Sequence, residues 1–278
     1  MTFYGVRGST PCPCEANRRY GANTACVAVE VPGEDPVVFD IGTGLRFWGQ
    51  HLAQDGSFHG SALVTHLHWD HVQGLPFFVP IDRPGATLDI YGPTPDGEPT
   101  HLADALIKFM QPPYFPIRPT DLRGEIRFHD VNDDEFKIGR AKITSRLVPH
   151  LGPTNGYRVD WAGVSVAYIS DHQAPPNQDS VPESVLELAD DVDLLIHDAQ
   201  YRPDEWEKKS HWGHCTVDYA LLVAKEAGAK TLALFHHDPA HDDDEMDRLL
   251  EGARRSAERL GVEDVVAAAE GMTISFER

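Results

Sequence analysis

Short apolar runs separated by polar turns recur along the whole chain. The runs are rich in Val, Ile, Leu and Phe and are too short for helices, so they favour strands. Longer stretches with apolar residues at helical spacing alternate with them. We predict strands at residues 2–6, 25–31, 36–41, 61–66, 86–91, 141–148, 155–161, 164–170, 192–197, 231–235 and 264–276, the last as two strands around Gly271. This alternation predicts an α/β protein in which two sheets pack between helical layers.

Two stretches in the last third of the chain carry helix start and stop signals. Thr216 can cap a helix that Gly228 would end. Residues 242–245 are all acidic and would place negative charge at the positive end of a second helix, which Gly261 would end. We therefore interpret this acidic run as the start of a helix rather than as a metal site.

A cluster of metal-binding side chains follows the strand predicted at residues 61–66. The next residues include His66, His68, Asp70 and His71 within a stretch of six. Neutral imidazole and carboxylate groups suit zinc and similar divalent ions. The first two histidines can point to one side of an extended chain, whereas the other two residues lie past a turn. The pattern suggests two metals side by side, about 3.5–4 Å apart as in two-metal hydrolases.

Three later apolar runs also end in a side chain that can bind a metal. These residues are His150, Asp171 and His236. His172 and His237 directly follow two of them and are the alternatives. Because successive side chains of a strand point to opposite sides, we expect one member of each neighbouring pair to bind metal.

The order of these elements resembles the metallo-β-lactamase superfamily of metallohydrolases. The stretch His-Leu-His-Trp-Asp-His is similar to the HxHxDH signature of that family. The resemblance implies a four-layer αββα sandwich over nearly the whole chain, and we expect one domain over residues 1–278. It also selects one residue from each neighbouring pair. The resemblance implies that one metal is held by His66, His68 and His150, that a second is held by Asp70, His71 and His236, and that Asp171 bridges both.

Residues 210–216, Ser-His-Trp-Gly-His-Cys-Thr, are similar to the His-Ser-Thr segment of ribonuclease Z and its phosphodiesterase relatives. Cys215 replaces the usual Ser, and Asp198 stands where ribonuclease Z has Glu. From this resemblance we expect His214 to act as a general acid and Asp198 to orient it. We count Asp70 as a catalytic residue as well as a ligand. True β-lactamases lack this segment, which disfavours a lactamase.

The expected mechanism follows from two metals and one acid. The ions, zinc by expectation with manganese or iron as substitutes, would lower the pKa of a bridging water to hold hydroxide ready. That hydroxide would attack a phosphorus atom while His214 protonates the leaving group. Asp40 ends a strand near this site, and we expect its carboxylate to accept an imidazole N–H or to hold the metal loop.

Net charge changes the expected substrate. The chain has 24 Lys and Arg against 44 Asp and Glu, a formal net charge of −20. Nucleic-acid binders usually present a basic face, and this chain has only short basic pairs. Ribonuclease Z also uses a protruding arm, whereas residues 100–128 predict a short helix and a Pro-rich loop. RNA is therefore the disfavoured partner.

Three function hypotheses follow. The first is a phosphodiesterase that hydrolyses a small phosphodiester such as a cyclic nucleotide. The alternative is a ribonuclease Z-like endonuclease for RNA 3′ processing. The third, from another class, is a non-catalytic metal-binding or sensory domain. The complete ligand set and His214 disfavour the third hypothesis.

Other sequence features limit the cellular compartments in which we expect the protein to act. No run of 18 apolar residues exists, so we expect no membrane span. The first residues lack the apolar region of a signal peptide, and we expect a cytoplasmic protein. Four cysteines do not make a disulfide framework. The sequence does not decide whether the protein forms a homodimer. It also assigns no role to Cys12, Cys14, His211 or residues 101–130.

Overall fold

The computed structural model describes residues 1–97 and 100–276. These residues form two sheets. The first sheet contains, in spatial order, β1 (Thr2–Gly5), β2 (Cys26–Val29), β3 (Val37–Phe39), β4 (His59–Leu63), β5 (Thr87–Gly92) and β6 (Glu125–Asp130). The second contains β7 (Glu135–Ile138), β8 (Ala141–Leu147), β9 (Asn155–Trp161), β10 (Val164–Ile169), β11 (Leu194–Asp198), β12 (Thr231–Phe235) and β13 (Asp264–Ala267), also in spatial order.

Helices cover the outer faces of the two sheets. They are α1 (Leu45–Trp48), α2 (Trp69–Val72), α3 (Leu102–Phe109), α4 (Glu183–Ala189), α5 (Pro203–Lys209), α6 (Val217–Ala227) and α7 (Asp243–Leu260). One buried cluster joins α1, α2 and α3 to the first sheet, and another joins α4, α6 and α7 to the second. No helix in the two described ranges is long and apolar enough to cross a membrane.

The inner faces of the two sheets share a buried core. Phe3 and Phe39 come from the first sheet, and Tyr168 and Phe235 come from the second. The rings of Phe39 and Tyr168 stack with centroids 4.7 Å apart. Burying each large apolar side chain of this kind stabilises the fold by about 1.5–3 kcal/mol. The layers therefore run helix, sheet, sheet, helix, and the predicted αββα sandwich is confirmed.

Each sheet combines an antiparallel part with a parallel part. Strands β3, β4, β5 and β6 run parallel in the first sheet, and β10, β11, β12 and β13 run parallel in the second. Parallel strands bring their carboxyl ends to one edge. That edge is where open α/β sheets place their ligand sites.

The predicted strands agree with the structure except at the sheet margins. Strands β6 and β7 were not predicted, because each is an edge strand in which exposed and half-buried residues alternate. The second strand expected within residues 264–276 is wrong. After β13 this stretch contributes an isolated bridge between Thr2 and Thr273 rather than a strand. The predicted short helix and Pro-rich loop within residues 100–128 are confirmed up to Gly124, and β6 begins at Glu125.

The helix signals near the C-terminal end of the chain are confirmed. Thr216 Oγ1 accepts the backbone N–H of Tyr219 at 3.2 Å, and Gly228 ends α6 with φ of 67°. The carboxylate of Asp242 accepts the N–H of Glu245 at 2.8 Å. The acidic run thus caps α7, as its position predicted.

We expect the Tyr157→Phe substitution to lower the free energy of unfolding by about 1–3 kcal/mol. The Tyr157 hydroxyl donates to the backbone carbonyl of Val64 at 2.8 Å and accepts from Asn155 Nδ2 at 3.1 Å. This bond joins β9 to the chain that follows β4, and its loss would leave a buried carbonyl without its partner. Urea unfolding of the metal-free protein measures the change. Tyr114→Phe is the matched control, since Tyr114 is 79% exposed; equal losses in both variants would contradict the prediction.

Candidate metal centre

The predicted ligand residues meet at the carboxyl ends of strands from both sheets. The chain leaves β4 and passes through residues 66–71, with Asp70 and His71 in the first turn of α2. In the second sheet, Asp171 comes just after β10 and His236 comes directly after β12. His150 lies in the loop between β8 and β9. Ligands that are far apart in sequence therefore share one edge because the strands that carry them end there.

The backbone at the end of β12 separates the two neighbouring histidines. His236 has a φ of 57°, which lies in the left-handed region that a non-glycine residue rarely adopts. Its Nε2 lies 3.1 Å from Asp70 Oδ2. His237 points away, and its Nε2 lies 2.8 Å from the backbone carbonyl of Ala268. Of the two histidines, His236 is thus the one that the structure brings to the centre.

A first group of donor atoms comes from His66, His68 and His150, with one oxygen of Asp171. Nδ1 of His68 lies 2.8 Å from Nε2 of His66 and 3.3 Å from Nε2 of His150. Asp171 Oδ2 lies 3.8 Å from Nε2 of His66 and 3.7 Å from Nε2 of His150. These four atoms converge on one point.

A second group comes from Asp70, His71 and His236, with the other oxygen of Asp171. Asp70 Oδ2 lies 3.2 Å from His71 Nε2, and Asp171 Oδ1 also lies 3.2 Å from that nitrogen. The distance from Asp171 Oδ1 to His236 Nε2 is 3.3 Å. Asp171 therefore presents one oxygen to each group, which is the arrangement of a bridging carboxylate.

These donor sets fit divalent metal ions. Two ligand atoms around a tetrahedral zinc with bonds of about 2.0 Å are about 3.3 Å apart. The distances between donor atoms described above, from 2.8 to 3.8 Å, lie around this value. Buried imidazole nitrogens and carboxylate oxygens facing one another are costly without a shared cation or proton. Within the described residues, His71 Nε2 and Asp171 Oδ1 are buried and have no hydrogen-bond partner. A cation would satisfy both.

Acceptors behind the centre fix the orientation of four imidazoles. Nδ1 of His71 lies 2.8 Å from Asp40 Oδ2, and Nδ1 of His66 lies 3.1 Å from Thr65 Oγ1. Each such bond holds the ring so that Nε2 faces the centre. Two further pairs complete the set: Nδ1 of His150 with the carbonyl of Gly213 at 2.6 Å, and Nδ1 of His236 with Gln200 Oε1 at 2.9 Å.

Burial and neighbouring charges shift the pKa values of the imidazoles in opposite directions. Burial lowers the pKa of His150 to about 4 and that of His66 well below its usual value, so both rings are neutral at pH 7. For His71, burial acts in the same direction, but Asp70 and Asp171 outweigh it and raise the pKa well above 6.5. The neutral rings are the form that binds metal.

His214 and Asp198 form a hydrogen-bonded pair beside the second group. Nδ1 of His214 lies 2.9 Å from Asp198 Oδ2. The carboxylate of Asp198 also accepts the backbone N–H groups of His172 and Gln200, each at 3.0 Å. His214 lines the cavity over the centre, and with Nδ1 held by Asp198 its Nε2 is free for a substrate. Sequence analysis placed these two residues together, and the structure has them in contact.

A cavity of about 550 Å³ opens above the centre. It is lined by Ser9, Leu67, His68, Trp69, Asp70, Leu151, Asp171, Tyr201, His211, Trp212 and His214. His211, whose role the sequence left open, lies on its wall and accepts the indole N–H of Trp212 at 3.1 Å. Cys12 and Cys14 are free thiols that do not line this cavity.

Sequence reasoning missed several residues that hold the ligands. Gln200 binds His236, and the backbone N–H of Ser9 donates to Asp70 Oδ2 at 2.7 Å. The hydroxyl of Tyr168 donates to Asp40 at 2.8 Å from the opposite sheet. Gln200 lies two residues after Asp198, which is a weak signal. A backbone group such as that of Ser9 leaves no signal in a sequence.

Comparison with known proteins places this geometry in a family. Residues 38–237 match the model of the β-lactamase superfamily domain, which is more than half of the chain. The chain belongs to the metallo-β-lactamase superfamily. The ribonuclease Z of Brevibacillus brevis is 38% identical over 263 residues, which cover 80% of this chain and 82% of the relative. The ribonuclease Z of Haloarcula marismortui is 29% identical over 317 residues, covering 98% and 95%.

A solved structure supports the same fold. The short form of human tRNase Z superposes with a TM-score of 0.70 at 22% identity, covering 100% of this chain and 99% of that one. At 22% identity, this similarity is evidence for the fold alone. The family model and the ribonuclease Z relatives show that this superfamily member is ribonuclease Z-like and is a metal-dependent hydrolase.

We expect the purified protein to hold about two metal ions per chain and the His236→Ala variant to hold about one. The reason is that His236 contributes to the second donor group only. Elemental analysis of protein purified without chelator measures the content. His237→Ala is the matched control and should keep both ions, with circular dichroism to confirm that each variant is folded. Loss of metal from the His237 variant alone would reverse the assignment.

Proposed function

We propose that this protein is a metal-dependent phosphodiesterase of the ribonuclease Z type that cleaves a phosphodiester bond in RNA. The observation that supports it most directly is the His214–Asp198 pair, 2.9 Å apart, next to two convergent donor groups. The named relatives are ribonucleases Z that cover most of this chain. Sequence analysis favoured a small phosphodiester instead, and the relatives support the RNA alternative better.

Seven residues would hold two divalent ions, which we propose to be zinc. His66, His68 and His150 would bind the first, Asp70, His71 and His236 would bind the second, and Asp171 would bind both. When bound, such ions lower the pKa of a water nucleophile and neutralise charge on the phosphate oxygens. Acceptors behind the ligands, such as Asp40 and Gln200, keep the imidazoles aimed at the ions.

His214 would supply the proton for the leaving oxygen. Asp198 accepts its Nδ1–H, which directs the other ring nitrogen toward the substrate cavity. The role of general acid needs a ring nitrogen within reach of the leaving oxygen, and this orientation provides one. The two backbone N–H groups bonded to Asp198 keep that carboxylate in place. Asp198 is thus a positioning residue, and His214 is the group that would touch the substrate.

A small phosphodiester remains the second candidate because of charge. The net charge of −20 disfavours a long polyanion by long-range repulsion. The stretch between α3 and β6 is a loop with one short 3₁₀ turn, without the protruding arm expected of ribonuclease Z. Both substrates would use the same metal chemistry.

We expect His214→Ala to keep its metals and to lose roughly 10²–10⁴-fold in turnover on substrates with poor leaving groups, the usual effect of removing a general acid. A p-nitrophenolate leaving group needs no proton, so the loss on bis(p-nitrophenyl) phosphate should be much smaller. Asp198→Asn should show a milder form of the same pattern. Steady-state rates on both substrate types measure it, and an equal loss on both would favour a positioning role for His214.

The RNA proposal is tested by comparing kcat/KM for a precursor tRNA with kcat/KM for a cyclic nucleotide, at equal salt and metal. We expect the precursor to be cleaved at one position and to be the better substrate by about tenfold or more. Raising the salt should weaken RNA cleavage, since contacts with phosphates are sensitive to ionic strength. Preference for the cyclic nucleotide would establish the small-diester candidate instead.

A further inference from the structure

A broad groove continues from the metal centre along α1, α3 and the loops next to them. Its volume is about 1110 Å³, twice that of the cavity over the metals, whose volume is about 550 Å³. Leu67 and Trp69 line both spaces, so a molecule bound at the metals can extend into the groove without a break. The chemistry proposed above uses none of the remaining groove residues.

Exposed aromatic rings line this groove. Trp69 is 70% exposed, Phe77 is 56% exposed and Tyr114 is 79% exposed. These residues come from three separate segments: the metal loop, the chain after α2 and the loop after α3. The ring of Phe115 packs edge-on against Phe77 with centroids 5.9 Å apart, which holds the latter in place. Large exposed apolar surfaces of this kind mark interaction sites.

The charge of the groove differs from that of the rest of the protein. Among the described residues that line it, Arg46 and Lys108 are charged and both are basic, although the chain carries a net charge of −20. Neither cation forms an ion pair with any residue in the described ranges, and both side chains are exposed. The Cζ atom of Arg46 lies 5.8 Å from the centroid of the Phe47 ring, a contact that leaves its charge without a neutralising carboxylate. A groove that combines stacking surfaces with such cations is complementary to a ligand with flat rings and negative charge.

We propose that this groove binds the nucleotides next to the scissile phosphate, with their bases stacked on the aromatic rings and their phosphates near Arg46 and Lys108. The proposal rests on the proposed phosphodiesterase function and extends it to the substrate class. Stacking tolerates every base, so the groove gives affinity for single-stranded nucleotides with little sequence preference. A purely apolar chain would use the rings but would gain nothing from the two cations.

Three phosphodiesters that share a p-nitrophenolate leaving group test which kind of ligand the groove binds. They are methyl p-nitrophenyl phosphate, octyl p-nitrophenyl phosphate and uridine 5′-(p-nitrophenyl) phosphate. We expect kcat/KM to be highest for the uridine ester. Tyr114→Ala and Phe77→Ala should lower the ratio of uridine-ester to methyl-ester kcat/KM by about 10–100-fold, the effect of losing one stacked base. Phe276→Ala is the matched control, because Phe276 is 37% exposed and lies outside the groove; its ratio should not change.

Binding without catalysis is the second measurement. Tryptophan fluorescence, titrated with a short oligouridylate in the presence of chelator, should show weaker binding for Tyr114→Ala than for Phe276→Ala. Arg46→Gln and Lys108→Gln should each reduce the salt dependence of that binding.

Failure of the groove proposal and failure of the proposed function give different results in these experiments. If the unaltered protein with metals cleaves none of the three diesters and no RNA, the proposed function fails, and the binding titration alone decides the groove. If the octyl ester is the best substrate, the groove takes an apolar chain and the inference is overturned. Equal losses on all three diesters in Tyr114→Ala, with unchanged oligouridylate binding, would also overturn it.

Discussion

The buried carboxylate of Asp40 is the interaction on which the rest of the site depends. It accepts the backbone N–H of Thr65 at 2.7 Å, the hydroxyl of Thr65 at 3.0 Å, Nδ1–H of His71 at 2.8 Å and the hydroxyl of Tyr168 at 2.8 Å. These donors come from the end of β4, from the metal loop and from the opposite sheet. A buried carboxylate is tolerated only when such donors surround it. The two sheets and one proposed ligand are therefore tied to a single group.

The backbone at Asp40 also indicates how firmly this position is held. Its φ is 53°, a left-handed conformation that costs a non-glycine residue about 1–3 kcal/mol. His236, on the facing sheet, adopts a similar φ of 57°. Strain of this kind persists where surrounding contacts outweigh it, and here hydrogen bonds to Asp40 and Gln200 do so. The turn at His236 places its imidazole at the centre, and the turn at Asp40 places its carboxylate behind His71.

Charge is distributed unevenly over the molecule, which makes an acidic chain compatible with the anionic substrate that we propose. Two divalent ions would offset the carboxylates of the centre itself, so local charge there differs from the net charge of −20. The adjoining groove presents Arg46 and Lys108 without an ion-pair partner among the described residues. Net charge reports the average of the surface, whereas binding depends on the potential at the site.

The sequence by itself predicted the layered fold and the presence of a metal centre. Alternating strands and helices predicted the αββα sandwich, and the spacing from His66 to His71 predicted a metal centre, because both are local patterns with a direct physical cause. The choice of His236 over His237 came from family resemblance, since the apolar run before them allows either. The pairing of His214 with Asp198 came from the same source.

Only the tertiary structure decided which groups support those ligands and what lies beside them. Gln200, the Gly213 carbonyl and Tyr168 reach the centre from distant parts of the chain. The groove likewise combines residues from separate segments between Pro11 and Phe115. Strands β6 and β7 escaped prediction because their polar residues face solvent at the sheet margins. Local preferences act over a few residues, whereas these contacts depend on how two sheets pack against each other, and no local pattern records that packing.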